Sequence, residues 1–150
     1  GEESGGFGIP THVRERDGLL MALLLVEMMA SRSKTLAELV EELLQQVGTL
    51  EYGRRDLRLS EAQKAVFLSQ HVNVAGTDYS PYSPLFTSLN EEIFEIERVD
   101  GIMIRFVSDA WLLARPSGTE PLVRVYAEAA NDQRVQELLD IGCAMAEGLL

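Results

Sequence analysis

The sequence predicts an α+β protein in which a four-stranded antiparallel sheet carries helices on one face. Three observations support this fold class. Four short runs rich in Ile, Val, Phe, Trp and Tyr follow one another between residues 93 and 129. The dipeptides Asp100-Gly101 and Ser108-Asp109, which favour tight turns, separate the first three runs. Stretches with helical periodicity precede and follow these runs, as expected for a layer of helices on a sheet.

Two helices are predicted before residue 50. Asp17 is a good N-cap residue for an apolar stretch that includes Leu19 to Ala30, and this stretch is hydrophobic on nearly every side. A helix of that kind is normally buried, so a neighbouring sheet is expected. The second helix, residues 35–48, alternates leucines and valines with glutamates at helical spacing and ends at Gly48.

A domain boundary is predicted near residues 50–56, in a linker that leads into a short strand. Ser60 and Gln63 have the spacing of a capping box, which opens a helix that extends to about His71. Residues 79–90 contain Pro, Ser and Asn at short intervals without a period, so they are interpreted as a long, mobile loop. In the last strand Val123, Val125 and Ala127 are predicted to face inward, with Arg124, Tyr126 and Glu128 outward, before a final helix begins at Asn131 or Asp132.

The charge of the chain limits its partners. Its 150 residues carry a formal charge of −11, which disfavours nucleic acid and anionic membranes but allows a small phosphorylated ligand where basic groups converge. One cysteine and two histidines argue against an internal disulfide and a structural zinc site. The sequence shows no signal peptide, and the run Leu19 to Val26 is too short to span a bilayer, so a cytoplasmic location is expected.

The segment RPSGTEP, residues 115–121, has the composition of an anion-binding loop. Arg115 can pair with two phosphate oxygens, Ser117 and Thr119 offer hydroxyls, and Gly118 allows the backbone to approach closely. The alternative is a β-turn in which the arginine is incidental, and residue spacing alone does not decide between the two.

The segment GEESGGFGIP at the N-terminus is a second dense loop. Glu2 and Ser4 could accept hydrogen bonds from a hydroxyl-rich ligand such as a sugar, whereas the alternative is a flexible chain start. His12 and Arg16 follow, either as polar residues ahead of a helix or as part of a cationic rim that guides a phosphate.

Together GEESGG, HVRERDG with its apolar helix, and RPSGTEPLVRVYAEA resemble the α-D-phosphohexomutase family of phosphoglucomutases, phosphomannomutases and phosphoglucosamine mutases. The resemblance covers nearly the whole chain. It implies that residues 1–52 are the C-terminal part of the family's third domain, of α/β type, and that residues 53–150 are its fourth domain, with a fold similar to the TATA-box-binding protein.

The resemblance also implies a function. Family members interconvert hexose 1-phosphate and hexose 6-phosphate through a phosphoserine, Mg²⁺ and a bound hexose 1,6-bisphosphate. By this match Glu2 and Ser4 hold sugar hydroxyls, while Arg115, Ser117, Gly118 and Thr119 hold the phosphate that is not transferred. His12 and Arg16 match positions near the reacting centre. Many relatives have lysine at the position of Arg16, and arginine is a poor general base, so no base is assigned.

The sequence matches neither the family's phosphoserine motif nor its aspartate loop for magnesium, so no metal ligand is assigned. The expectation is therefore a C-terminal fragment of a longer mutase, inactive without the N-terminal domains and able to self-associate through its apolar helix. Two alternatives remain: a stand-alone phosphosugar-binding or regulatory module without catalysis, and an interaction domain in which RPSGTEP is only a turn.

Overall fold

The first of two units, Gly1–Thr49, contains two helices that are capped as the sequence predicts. The computed structural model describes residues 1, 6–76 and 78–149. Helix α1 spans Gly18–Arg32, and the Asp17 carboxylate accepts a hydrogen bond from the Leu20 N–H, which satisfies one donor of its first turn. Helix α2 spans Leu36–Val47 and begins with a capping box.

The apolar residues of α1 and α2 are largely exposed, and neither helix contains a buried residue. Leu19 is 74% exposed and Val26 is 63% exposed, although the composition of α1 predicts a buried helix. No helix among the described residues has the length and hydropathy needed to cross a membrane.

The second unit, Leu50–Leu150, is an antiparallel sheet with helices, which confirms the α+β class. The sheet has five strands in the order β1-β5-β4-β3-β2. Their bounds, with those of the helices, are β1 Glu51–Arg58, α3 Glu61–Phe67, α4 Ser83–Thr87, β2 Ile93–Arg98, β3 Ile102–Phe106, β4 Trp111–Pro116, β5 Leu122–Ala129 and α5 Asp132–Glu147. A π-helical turn, Leu68–Val72, continues α3.

Strand β1 is the main difference from the predicted four-stranded sheet. Six of the seven residues predicted as a linker belong to it, and it pairs with β5 from Glu51 to Arg58. The strand has no apolar alternation because Gly53 occupies a core-facing position against α5. A Cβ on Gly53 would lie 2.6 Å from Val135 Cγ1. The strand and the helix lie so close together that only glycine fits at this position. A hydrophobic residue there would have shown the alternating pattern by which a strand is recognised in the sequence.

The core lies between the sheet and α5. Val123, Val125 and Ala127 of β5 are completely buried, as predicted, and Val135 and Leu138 of α5 are equally buried. The hairpin turns between β2 and β3 and between β3 and β4 also occur where the turn dipeptides predict them.

The opposite face of the sheet contains a buried aromatic residue. Tyr126 is predicted to face outward but is only 5% exposed. Arg54 is its register partner on β1, and the Arg54 guanidinium carbon lies 5.6 Å from the centre of the Tyr126 ring. A cation–π contact of this kind covers the ring while the charge remains near solvent.

The prediction of an irregular loop over residues 79–90 is wrong for its centre. Helix α4 forms there, and Tyr82 and Phe86, four residues apart, are both buried in the core. Pro84 lies in the first turn of α4, where its missing N–H costs nothing. The prolines that suggested a loop therefore mark the start of a helix.

Candidate functional site

The loop between β4 and β5 brings the predicted phosphate-binding residues together. Its base is closed by a hydrogen bond of 2.9 Å from the Ser117 N–H to the Leu122 carbonyl. A cavity of about 170 Å³ lies against the loop. Its lining consists of Arg115, Pro116, Ser117, Gly118, Thr119 and Arg124. At about 30 Å³ per water molecule, it has room for a small anion.

Two arginines flank the cavity from neighbouring strands. Arg115 at the end of β4 and Arg124 near the start of β5 are register partners, so their side chains leave the same face of the sheet. Two guanidinium groups thus border one cavity in a chain whose net charge is −11. This arrangement suits a ligand with several anionic oxygens.

Arg115 is held by the preceding hairpin. Its Nε lies 2.8 Å from Asp100 Oδ2 in the turn between β2 and β3, and both side chains are more than half exposed. Gly101 lets this turn lie directly against β4, since a Cβ on Gly101 would be 2.6 Å from the Ala114 carbonyl oxygen. An incoming anion would therefore share Arg115 with Asp100 or displace that carboxylate.

The Ser117 side chain organises the loop from within. It is only 8% exposed, and its Oγ accepts hydrogen bonds from the Glu120 N–H at 3.2 Å and the Thr119 N–H at 3.4 Å. Within the described part of the chain, neither the Gly118 N–H nor the Thr119 hydroxyl has a hydrogen-bond partner. Both residues line the cavity, and these two groups remain available as donors to a ligand.

Arg124 is more enclosed than Arg115. Its Nη2 lies 3.3 Å from a Glu120 carboxylate oxygen, and its Nε lies 3.9 Å from Asp56 Oδ2, beyond hydrogen-bonding distance. Among the described residues, the Arg124 Nε is a buried side-chain nitrogen without a hydrogen bond. Such a group is uncommon in a folded protein, and the nearby Asp56 carboxylate partly compensates its charge.

The Asp56 carboxylate beside Arg124 remains ionised at neutral pH. Arg54 donates to both of its oxygens, at 2.7 Å and 2.8 Å, and these bonds lower the pKa of Asp56 below its ordinary value of 3.8. Because Arg54 already binds both oxygens, Asp56 competes only weakly with a ligand for Arg124.

Lys64 of α3 supports the loop from outside the cavity lining. Its Nζ donates to the Ser117 carbonyl oxygen at 2.6 Å and to the Glu120 carbonyl oxygen at 3.3 Å. The ammonium group therefore joins two loop carbonyls that are three residues apart.

The other predicted site residues belong to the first unit. The His12 Nε2 lies 3.0 Å from Asp17 Oδ2, so the imidazole is joined to the residue that caps α1. The Arg16 side chain passes close to Gly6, where an added Cβ would lie 2.9 Å from Arg16 Cδ. Glu2 and Ser4, the predicted sugar-binding residues, lie outside the described residues.

The described residues contain no cluster of three or more His, Cys, Asp or Glu side chains placed to hold a metal ion. The carboxylates beside the cavity at the β4–β5 loop are paired with basic groups: Asp100 with Arg115, and Glu120 with Arg124. Pairing of this kind leaves these carboxylates poorly suited to act as metal ligands.

Sequence reasoning missed Arg124 and Lys64 as residues of this site. A usable signal for Arg124 was present, because a hairpin with a loop centred on Gly118 places residues 115 and 124 opposite each other. Lys64 had no such signal, since its contact with Ser117 joins residues 53 positions apart.

Comparison with known families assigns both units. Residues 1–47 match the model for phosphoglucomutase/phosphomannomutase, alpha/beta/alpha domain III. Residues 55–141 match the model for the C-terminal domain of phosphoglucomutase/phosphomannomutase, and these residues exceed half of the chain.

Individual relatives agree with this assignment. A phosphoglucomutase/phosphomannomutase of Thermococcus kodakarensis is 29% identical over 150 residues, which are 100% of this chain and 28% of the relative. A phosphoglucosamine mutase of Methanococcus aeolicus is 34% identical over 87% of this chain and 25% of its own length. A phosphoglucosamine/phosphogalactosamine mutase of Sulfurisphaera tokodaii is 31% identical over 98% of this chain and 28% of its own length. The chain thus spans about a quarter of the relatives it matches, and it belongs to the phosphoglucomutase/phosphomannomutase family of α-D-phosphohexomutases.

Proposed function

We propose that this chain provides the phosphate grip of a phosphohexomutase that interconverts hexose 1-phosphate and hexose 6-phosphate. The cavity beside the β4–β5 loop would hold the phosphate group that is not being transferred. The observation that carries the proposal is the convergence of Arg115 and Arg124 on a loop whose Gly118 and Thr119 still have free donors. Like charges in register repel each other across a strand pair, so an anion between the two guanidinium groups would be favourable there.

The chemistry of this part of the reaction is binding and orientation. Phosphoryl transfer depends mainly on holding the substrate in line and stabilising its charge, so a fixed grip on the second phosphate would contribute directly to rate. Arg115 and Arg124 would neutralise the dianion, while the Gly118 N–H and the hydroxyls of Ser117 and Thr119 would orient its oxygens. The phosphoserine and the Mg²⁺ ligands, which this sequence does not match, would come from other domains of the mutase.

The first unit would contribute contacts to the sugar. In this proposal Glu2 and Ser4 bind sugar hydroxyls, and His12 and Arg16 lie near the reacting centre. Arg16 would stabilise phosphate charge rather than remove a proton, because a guanidinium stays protonated. Hexose 1,6-bisphosphate would be the intermediate, and it would reorient in the cleft between the two half-reactions.

The test is an NMR titration of the 150-residue chain with inorganic phosphate, glucose 1-phosphate, mannose 1-phosphate and, as a neutral control, glucose. A partial cleft is expected to bind with a Kd on the order of 1 mM, about −4 kcal/mol. We expect amide shifts confined to residues 115–119 and 124 with every phosphorylated ligand and none with glucose. Arg115→Ala should abolish them.

Two results would separate the alternatives. Additional shifts in residues 1–6 that appear only with the sugar phosphates would support a shared sugar site. Absence of any loop shift up to tens of millimolar phosphate would contradict the phosphate grip and favour the interpretation of RPSGTEP as a structural turn.

A further inference from the structure

Lys64 occupies a position behind the β4–β5 loop that is suited to presetting the loop for an anion. It is a half-buried residue of α3 and does not line the cavity. Its Nζ donates to the carbonyl oxygens of Ser117 and Glu120, 53 and 56 residues along the chain. We propose that Lys64 is a positioning residue that fixes the orientation of the loop amides toward the bound phosphate. This inference rests on the proposed phosphate grip and deepens it.

Peptide geometry explains how a lysine outside the cavity can act on it. The Ser117 carbonyl and the Gly118 N–H belong to one planar trans peptide, so they point in opposite directions. When Lys64 binds the carbonyl at 2.6 Å, the Gly118 N–H must point away from the ammonium group. Gly118 lines the cavity, and in the described part of the chain its N–H has no internal acceptor. Lys64 therefore holds a donor ready for the ligand.

The carbonyl of Glu120 gives Lys64 a second contact, near the other end of the loop. Glu120 accepts from Lys64 at 3.3 Å, and its N–H donates to Ser117 Oγ at 3.2 Å. The next residue, Pro121, has no N–H of its own, so the Glu120 carbonyl can face Lys64 without turning another donor away from the cavity. With Lys64 bound to both ends, the loop loses much of its freedom before a ligand arrives. Preorganisation of this kind reduces the entropy cost of binding.

The ammonium charge has a second effect. It lies within hydrogen-bonding distance of the peptide that joins Ser117 to Gly118, and this peptide borders the cavity. A positive charge behind the carbonyl polarises the peptide and strengthens its N–H as a donor to an anion. Lys64 thus contributes to the phosphate site without touching the ligand.

The decisive variant is Lys64→Met, which keeps a stem of similar length and good helix propensity but removes the ammonium group. We expect phosphate to bind roughly three- to tenfold more weakly, since a charge-assisted contact to the loop is lost. The phosphate-induced shift of the Gly118 amide should shrink, and its ¹⁵N relaxation in the unliganded protein should report greater mobility. Lys64→Arg, which restores a cation with several donors, should recover most of the affinity.

Lys34→Met is the matched control, because Lys34 is the other lysine of the chain and forms an ion pair with Glu42 within the first unit. It removes the same charge and should leave phosphate affinity unchanged. A Lys64→Met variant that binds phosphate as tightly as Lys34→Met would overturn the positioning role alone. Equal losses in Lys64→Met and Lys64→Arg would also overturn it, by assigning the effect to the helix. Failure of the unmodified chain to bind phosphate would instead overturn the proposed function together with this inference.

Discussion

Arg115 and Arg124 lie directly opposite each other in the register of β4 and β5. Like charges in this position repel, and here three carboxylates offset the repulsion: Asp100 beside Arg115, and Glu120 and Asp56 beside Arg124. An anion that binds between the two guanidinium groups would relieve the repulsion more completely. The proposed phosphate site therefore predicts that each of the two arginines contributes to anion affinity.

Arg124→Met should weaken phosphate binding to a similar degree as Arg115→Met. Loss of a hydrogen bond to a charged group costs about 1.5–3 kcal/mol, which corresponds to roughly a ten- to hundredfold increase in Kd. Because the substitution also removes a like-charge pair, the free energy of unfolding should change by less than about 1 kcal/mol. Phosphate titration by NMR and chemical denaturation measure the two quantities.

Arg105→Met provides the control for this prediction. Arg105 lies on β3 of the same sheet and is bound by Glu95 and Glu97, each at 2.9 Å, so its loss changes the net charge equally. Phosphate affinity should be unaffected. If Arg105→Met weakens phosphate binding as much as Arg124→Met does, the effect of Arg124 is one of overall charge and not of the cavity.

Local signals in the sequence predicted much of this fold. The capping residue Asp17, the capping box of Ser60 and Gln63, and the Asp100-Gly101 turn all occur where expected, because each acts on its own neighbours along the chain. The candidate site was also recognisable, since Arg115, Ser117, Gly118 and Thr119 are nearly contiguous in the sequence and line one cavity.

Features that depend on distant contacts escaped sequence reasoning. Strand β1 lacks an apolar pattern because Gly53 makes room for α5, a requirement that appears only once strand and helix are packed. Phe86 lies among turn-forming residues, yet it is completely buried. It packs edge-on to Phe106, with 4.8 Å between the centres of the two rings. Nothing near Lys64 in the sequence distinguishes it from other lysines on an exposed helix, because its partner Ser117 lies 53 residues further along the chain.

Asp100→Asn should strengthen phosphate binding roughly two- to fivefold, because it removes the carboxylate that competes for Arg115 and lessens repulsion of the incoming anion. The pair is solvent-exposed, so its loss should cost at most about 1 kcal/mol of stability. Glu97→Gln, which removes an equal charge from the partner of Arg105, should leave the affinity unchanged. Weaker binding by Asp100→Asn would indicate that Asp100 orients Arg115 instead of competing for it.

The second unit should become less stable as the pH falls from 7.5 to 5.5, because His71 becomes protonated. Its ring lies 5.3 Å from Phe67, and its Nδ1 lies 3.2 Å from the Tyr82 hydroxyl. Burial lowers the pKa of His71 below its ordinary value of 6.5, and the charge of Arg98 lowers it further. As the pH falls, His71 therefore becomes protonated at a higher pH in the unfolded chain than in the folded one. The stability that the neutral His71 contributes is fully present above about pH 6.5, and it is lost as the pH falls toward the folded-state pKa.

Chemical denaturation at several pH values tests this expectation, with His71→Gln as the comparison. The variant should lose the pH dependence between 7.5 and 5.5, a range above the ordinary titration of carboxyl groups. In a His12→Gln background His71 is the remaining histidine, so its pKa can be read directly from ring proton shifts. A measured pKa at or above 6.5 would contradict the prediction.

Gly118→Ala should separate binding from folding. A Cβ on Gly118 would have no heavy atom within 4 Å, so the unliganded fold should tolerate it with a change below about 1 kcal/mol. Phosphate must approach the Gly118 N–H closely, and a methyl group at the cavity wall should weaken binding roughly tenfold, since it costs a hydrogen bond to a charged ligand. Gly101→Ala is the opposite case: its Cβ would lie 2.6 Å from the Ala114 carbonyl oxygen, and overpacking should cost about 1–3 kcal/mol of stability. Gly18→Ala, at an equally open position in α1, should leave phosphate affinity unchanged and alter stability by at most about 1 kcal/mol. Unchanged phosphate affinity in Gly118→Ala would show that the ligand does not contact this part of the loop.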